Sequence, residues 1–422
     1  MKLLALSNGH GEDVVAVRIL RQLRQQCPDW DLQAMPIVGE GRAYRQTNIK
    51  LYGPVCGALP SGGFIYMDQR QLFQDLRSGL LPLTGAQLKA CRQWAATGGA
   101  VLAVGDIVPL LFAWHSGAPY AFVGTAKSEY YLRSDESAFE GGRSPRWPWQ
   151  RWFNSDYLPW ERSLMQHRRC RAVFPRDRLT AQGLGQWPIP VVDAGNPMMD
   201  DLMPSGKLPR DLLPAAAPVV LLLPGSRSPE AYRNWQQILE GITPLAAQSQ
   251  PLVLIAAIDA ALDLAVLQEK TVAAGWHEQP NADLAVPHCR LQHQQTQLLM
   301  AQQVFNDGLH LADLAIAMAG TATEQCVGLG LPVVTLAGSG PQFTWAFAEA
   351  QSRLLGPSIH LLERPDQVPN TVVNLLQDST DRDLYRHNGQ QRMGQPGAAA
   401  RIASVLKTRL THEAPTATGR LV

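Results

Sequence analysis

Val219-Val220-Leu221-Leu222-Leu223-Pro224-Gly225-Ser226-Arg227-Ser228-Pro229 is the stretch whose reading decides the fold. Five apolar residues in a row, closed by Pro-Gly, read as a short strand buried on both faces. Ser228 suits an N-cap and Pro229 the first helical position, so a helix is expected to start there. Strands apolar on both faces belong to parallel sheets covered by helices, because parallel pairing needs a crossover connection. The same unit opens the chain: Lys2–Leu6 is a short strand, Gly9-His10-Gly11 a turn, and Glu12–Gln26 carries Ala16, Ile19, Leu20 and Leu23 on one helical face. Further strands are expected at Gln33–Val38, Ala100–Val104, Tyr120–Val123, Ala172–Phe174, Val191–Ala194, Leu252–Ala257, Leu314–Ala317 and Val333–Leu336.

Proline interrupts this alternation at residues 196–218, where Pro197, Pro204, Pro209, Pro214 and Pro218 crowd around Gly206 and read as a linker. The expected fold class is α/β, with two Rossmann-like doubly wound parallel-sheet domains and a cleft between them. Residues 1–195 form the first domain and 219–385 the second; 386–411 give a C-terminal helix that packs back on the first, and 412–422 a disordered tail. A length of 422 residues suffices for two such cores. An apolar share of 45% against 17% charged residues fits filled globular cores, and a net charge of +1 gives no pull on nucleic acid. The six cysteines lack any C-x-x-C pair, which argues against zinc and a disulfide scaffold and suits a reducing, cytoplasmic compartment. The N-terminal apolar run stops at Asn8-Gly9, too short for a signal peptide. No stretch reaches the roughly 20 apolar residues of a membrane span, so any membrane contact is expected to be peripheral.

Ligands of open α/β sheets bind beyond the carboxyl ends of the strands, which directs attention to the residues that follow each strand. Gly225 lets the backbone approach a ligand; Ser226 adds a hydroxyl and Arg227 a fork of donors for phosphate, although an ordinary turn with an exposed arginine reads equally well. Gly320-Thr321-Ala322-Thr323 opens a helix directly after Leu314–Met318, a place where free N–H groups cradle a diphosphate, with Glu324 or Gln325 within reach of ribose hydroxyls. Gly338-Ser339-Gly340-Pro341-Gln342-Phe343-Thr344 is a loop able to wrap a sugar, with Gln342 and Phe343 as contacts. In the first half Asn8, His10, Glu12 and Asp13 cluster in the first β–α turn, and Asp106 follows its strand; each alone reads as a cap, but together they face the cleft as acid–base groups. Arg143–Arg176 mixes tryptophan with arginine, the composition of a membrane interface. Trp147, Trp149 and Arg151 are expected at that surface, Trp152 and Trp160 in the core, and the remaining arginines in solvent.

Several of these segments together resemble the lipid-A-disaccharide synthase family, in its divergent synthase-related branch. They are Leu223-Pro224-Gly225-Ser226-Arg227, Gly195-Asn196-Pro197-Met198, Ala319-Gly320-Thr321-Ala322-Thr323, the opening Ser7–Asp13 and the ending Gly397-Ala398-Ala399-Ala400-Arg401-Ile402-Ala403. The resemblance implies a GT-B fold, a UDP-sugar donor used as substrate, inverting transfer without metal or cofactor, and a lipid-linked acceptor. It also implies a peripheral position at the inner face of the plasma membrane. On this reading Gly225, Ser226, Arg227, Gly320, Thr321 and Thr323 hold the diphosphate, Glu324 or Gln325 the ribose, and Asp106 or His10, with Glu12 beside them, the acceptor proton. Two other readings stay open: a nucleotide-sugar 2-epimerase acting on the donor alone, and a non-catalytic lipid- and nucleotide-binding relative. Nucleic acid is not an expected partner, and a homodimer is left open.

Overall fold

The computed structural model describes residues 1–55, 80–132, 155–214, 217–247, 251–281, 283–338, 340, 343–377 and 382–411. They divide into two compact units. The second is Asp201–Gly394, and the first takes the described residues before and after it.

The first unit is built on β1 (Lys2–Ser7), β2 (Asp31–Pro36), β3 (Lys50–Leu51), β4 (Ala100–Gly105), β5 (Tyr120–Gly124) and β6 (Cys170–Phe174), in the order β3-β2-β1-β4-β5-β6. Every pairing is parallel, with Leu3 opposite Leu32 on one side and Ala100 on the other. Successive side chains alternate between faces, so each strand feeds two cores. Leu3 and Ala5 join Val15, Ile19 and Leu23 of the helix His10–Gln26, while Leu4 and Leu6 join Trp94, Leu110 and Met165 on the opposite face. Burying each such Leu or Ile side chain contributes about 1.5–3 kcal/mol. The helix Ala398–Thr411 adds Ile402, Ala403 and Leu406 to the first of these cores. Its start is pinned by the Asp200 carboxylate, which accepts from Gly397 N at 2.5 Å and Ala399 N at 2.7 Å.

The second unit is built on β7 (Val219–Leu223), β8 (Val253–Ile258), β9 (His277–Gln279), β10 (His288–His293), β11 (Thr296–Gln302), β12 (Leu314–Ala317), β13 (Val333–Leu336) and β14 (Ile359–Leu362). The order is β14-β13-β12-β7-β8-β11-β10-β9; β10 runs antiparallel to both neighbours and the other pairs are parallel. Without the β9–β10 addition, this is the strand order of the first unit over again. The proline-rich stretch is divided: Pro197–Met199 is a single 3₁₀ turn of the first unit, whereas Ser205 Oγ and Gly206 N donate to the Asp307 carboxylate of the second at 2.5 and 2.7 Å.

Two local expectations are corrected. The helix after β7 begins at Glu230, one residue beyond Pro229, because the backbone first closes a turn in which Ala231 N donates to Arg227 O at 2.8 Å; Ser228 caps nothing. Val191–Ala194 is not a strand: only Val191 bridges to Val173, and the chain then turns away toward Asn196, whose side chain accepts from Met198 N. Among the described residues no helix is long and apolar enough to cross a membrane.

Candidate functional site

In the second sheet β7 lies between β8 and β12, and the chain builds outward from it in both directions. The connections leaving β7 and β12 therefore diverge, and in open α/β sheets the carboxyl ends at such a point are where ligands bind. Gly225, with φ of +96°, turns the chain there, and a Cβ on it would lie 3.2 Å from Met318 O. The left-handed backbone and the close approach of the second turn both call for glycine. Ser226 is exposed and Arg227 half-buried beside it.

The second turn, Met318-Ala319-Gly320, leads into the helix Thr321–Gly328, whose N-cap Gly320 supplies no side-chain hydrogen bond. The first N–H groups of that helix are thus left uncapped by their own N-cap, the arrangement that favours an anion. Thr321 is exposed at this end. Thr323 is not available: it is fully buried and its hydroxyl donates back to Ala319 O at 2.6 Å, so its assignment to the diphosphate is corrected. Glu324 and Gln325 are both buried along the helix.

Two residues that sequence reading passed over hold these turns together. Asn234, 2% exposed on the helix Glu230–Ala246, donates from Nδ2 to Pro224 O at 3.0 Å and to Met318 O at 3.3 Å. Gln351, on the helix Trp345–Leu355, donates to Ala319 O at 3.3 Å and Gly320 O at 3.1 Å. The third loop meets the same hub, since a Cβ on Gly338 would lie 2.9 Å from Asn234 Oδ1. Phe343 is corrected from ligand contact to core anchor: it is buried against Phe347, with ring centroids 5.4 Å apart, and its N–H donates to Glu230 Oε1 at 2.7 Å. Gln342 lies outside the described residues. Asn234, Gln351 and Glu230 had no local sequence signal, because each acts on a turn distant in the chain.

The first sheet changes direction between β1 and β4, and the first-half candidates sit there. Asp106, 9% exposed, caps the helix Ile107–Ser116 by accepting from Val108 N at 2.8 Å and also accepts from Asn8 Nδ2 at 2.8 Å. Burial raises its pKa, partly offset by these two hydrogen bonds. His10 is exposed at the start of the first helix, and Glu12 accepts from Thr125 Oγ1 at 3.4 Å. Asp13, of the same turn, is the most deeply buried carboxylate of the set. It is 3% exposed, Ser7 Oγ donates to it at 2.6 Å, and Ser7 Oγ shares a second 2.6 Å hydrogen bond with Tyr44. Burial pushes its pKa up to about 7, with the Ser7 hydrogen bond opposing and the Glu12 charge adding.

Beyond β5 and β6 lies a buried polar network. Lys127 pairs with Glu161 at 2.5 Å, Ser128 donates to Asp177 at 2.7 Å, and Ser155 donates to Glu129 at 2.6 Å. Burial pushes Asp156 up to about 6, against the pull of Lys127. Arg162 and Arg176 are buried rather than solvated: Arg162 covers the Trp187 ring at 4.0 Å, and Arg176 donates to Thr125 O at 2.9 Å. Trp160, expected in the core, is 52% exposed, because the helix Pro159–Gln166 turns Glu161, Arg162 and Met165 inward instead. Trp147, Trp149, Arg151 and Trp152 lie outside the described residues.

No family model and no curated protein matches this chain. Solved structures do share its fold. The calicheamicin glycosyltransferase CalG4 is 15% identical with a TM-score of 0.59, the match covering 98% of this chain and 99% of that one. MurG of Acinetobacter baumannii is 15% identical with a TM-score of 0.54, covering 96% and 99%. The UDP-GlcNAc 2-epimerase of Neisseria meningitidis, solved bound to UDP-GlcNAc, is 14% identical with a TM-score of 0.53, covering 96% and 100%. At such identities the likeness establishes the fold: two parallel-dominant α/β domains of the GT-B type.

Proposed function

We propose that this chain is a nucleotide-sugar-dependent glycosyltransferase that delivers its sugar to a lipid-linked acceptor. The observation that carries the proposal is the pair of turns after β7 and β12, tied to each other by Asn234, the second leading into an uncapped helix start. On this reading a diphosphate takes its donors from backbone N–H groups, Ser226, Arg227 and Thr321, which follow the two turns, the charge of a helix start favouring an anion. Gly225 and Gly320 admit it, and Glu324 or Gln325 takes the ribose.

In the transfer, the acceptor hydroxyl loses its proton to Asp106, with His10 the alternative and Glu12 in the same acidic set. The freed oxygen bonds to the anomeric carbon. The carbon–oxygen bond to the diphosphate breaks, and its electron pair leaves on the nucleotide. Donors held by the two turns would stabilise the new charge on that diphosphate, which is the larger part of the expected catalysis. Burial raises the pKa of Asp106 above the ordinary carboxylate value, which makes its carboxylate a stronger proton acceptor. The likeness to the lipid-A-disaccharide synthase family supports UDP as carrier, inversion at the anomeric carbon and a lipid acceptor. It also supports a peripheral place at the inner face of the plasma membrane.

Calorimetric titration with UDP, ADP, GDP, TDP and their sugars tests the donor, followed by transfer assays on extracted lipids. Binding of UDP in preference to the others, and a labelled glycolipid product, are expected; absence of binding by any nucleotide would overturn the proposal. The fold similarity to a UDP-GlcNAc 2-epimerase favours a second reading, in which the donor alone is turned over. Epimerised sugar appearing from UDP-GlcNAc without added lipid would select it.

A further inference from the structure

An asparagine between a strand and a helix ordinarily caps the helix it precedes. Asn8, which follows β1, does not. Its Oδ1 is buried and accepts no hydrogen bond among the described residues, and the N-cap position of the helix His10–Gln26 belongs to Gly9. The side chain instead reaches from β1 to the end of β4, where Nδ2 donates to Asp106 Oδ1 at 2.8 Å. Turned over, the amide would set an oxygen against a carboxylate, so the donor faces Asp106. The backbone is shaped for this approach. Gly105 has φ of +136°, and a Cβ on it would collide with Asn8 Oδ1; glycine meets both demands. Burying an amide oxygen without a donor is unfavourable, and what the arrangement gains in return is a charge-assisted bond at the other end of the amide.

That bond is not needed to cap a helix. Asp106 already caps Ile107–Ser116 through Val108 N, which donates to Oδ1 at 2.8 Å. Asn8 adds a second donor to the same oxygen, and no other described residue donates to Oδ2. The two carboxylate oxygens are therefore unequal. A proton arriving on Oδ2 leaves Oδ1 as a carbonyl oxygen that still accepts both bonds, whereas a proton on Oδ1 would displace one of them.

From this asymmetry we infer that Asn8 is a positioning residue for the proposed base: it fixes the Asp106 carboxylate so that Oδ2 receives the proton of the acceptor hydroxyl. The role deepens the transfer reading and rests on it for what Asp106 does; the hydrogen bonds and Gly105 carry the location. A donor to the ionised form lowers a carboxylate pKa, so Asn8 and Val108 N both work against the burial that raises that of Asp106. Glu161, on the helix Pro159–Gln166, adds its charge to the raising side and is itself paired with Lys127. Glu12 and Asp13 of the first helix are held by Thr125 and Ser7, and Lys89 and Arg92 of the helix Leu80–Ala96 are exposed. Loss of the Asn8 donor should therefore raise the proton affinity of Asp106 further.

Carbon-13 NMR of the full chain labelled at its aspartate carboxyls, with Asp106 assigned from Asp106→Asn, reads this hold directly. The Asp106 midpoint should rise by about one pH unit in Asn8→Ala, about a 10-fold gain in proton affinity. In Asn8→Asp, which fills the same space, neighbouring carboxylates should titrate in two coupled steps, the upper one above the wild-type midpoint. Release of UDP from the sugar nucleotide bound in calorimetry, with extracted lipids present, gives the rate. Asn8→Ala should lower kcat about 10-fold or more and leave KM for the sugar nucleotide within about 2-fold. It should also move the acid limb of the kcat/KM profile up by about one unit. An Asp106 midpoint unmoved in either variant, each shown folded by circular dichroism, would overturn the inference. So would a moved midpoint with kcat and its pH profile unchanged, which makes the contact structural only. Moved midpoints in a protein that binds no UDP and turns over no sugar nucleotide would support the hold of Asn8 on Asp106 and overturn the sugar-transfer reading instead.

Discussion

Both sheets change direction beside their first strand, and at both places an asparagine spans the change, yet the two are furnished for opposite charges. Asn8 donates from β1 to the Asp106 carboxylate after β4, and Asn234 donates to the carbonyls of Pro224 and Met318 after β7 and β12. In each, Oδ1 is buried with no hydrogen-bond partner among the described residues. Around Asn8 stand Glu12, Asp13 and Asp106, two of them with pKa values raised by burial. The turns that Asn234 holds continue into Ser226 and Arg227 on one side and into Thr321 and an uncapped helix start on the other. On the proposed function, one strand order would serve as a proton-accepting site in the first unit and as an anion site in the second. The difference lies in the residues that follow the strands, not in the sheets.

Replacing the proposed base breaks the comparison most visibly. Asp106→Asn should lower turnover about 10²–10⁴-fold while leaving UDP affinity unchanged by calorimetry, and unaltered turnover would remove Asp106 from the chemistry. Next is the pH dependence of Asp13. The unfolded chain releases this proton near the ordinary 3.8, whereas the folded protein keeps it to about 7. Stability is therefore lost as pH rises between these values and stays lost above them. Asp13→Asn, which keeps an acceptor for Ser7, should stabilise the protein by up to about 4 kcal/mol at pH 8 and by little near pH 4, measured by urea unfolding at both. Asn234→Ala leaves two buried carbonyls without their donor, so a loss of about 1–3 kcal/mol in stability and about 10-fold in UDP affinity is expected. A stability loss with full UDP affinity would make Asn234 structural only. The smallest effect sharpens the site: Thr321→Val should weaken UDP about 5-fold, whereas Thr323→Val, whose hydroxyl bonds its own helix, should leave affinity unchanged.

The fold was legible wherever a strand was apolar on both faces, as at Val219–Leu223 or Ala100–Gly105, because only a helix-covered parallel sheet accepts such a run. The hairpin β10–β11 was hidden for the converse reason. His288–His293 and Thr296–Gln302 mix polar with apolar residues, and their two-residue connection places Gln294 at φ of +51°, where Asn or Gly would have announced a turn. At the site, glycines after strands were visible, and so was Asp106 after β4. Asn234, Gln351 and the link from Ser7 to Tyr44 were not, since their meaning comes from partners far away in sequence. Thr323 and Phe343 erred in the other direction: the right residue types for a ligand stood on the wrong side of their own element.

Hydrogen–deuterium exchange with and without UDP tests the central claim most directly. The account predicts slowed exchange in peptides covering Gly225–Arg227 and Gly320–Glu324 of the second unit, and unchanged exchange at Ser7–Asp13 of the first. Protection confined to Ser7–Asp13, or none at either turn of the second unit under saturating UDP, would contradict it.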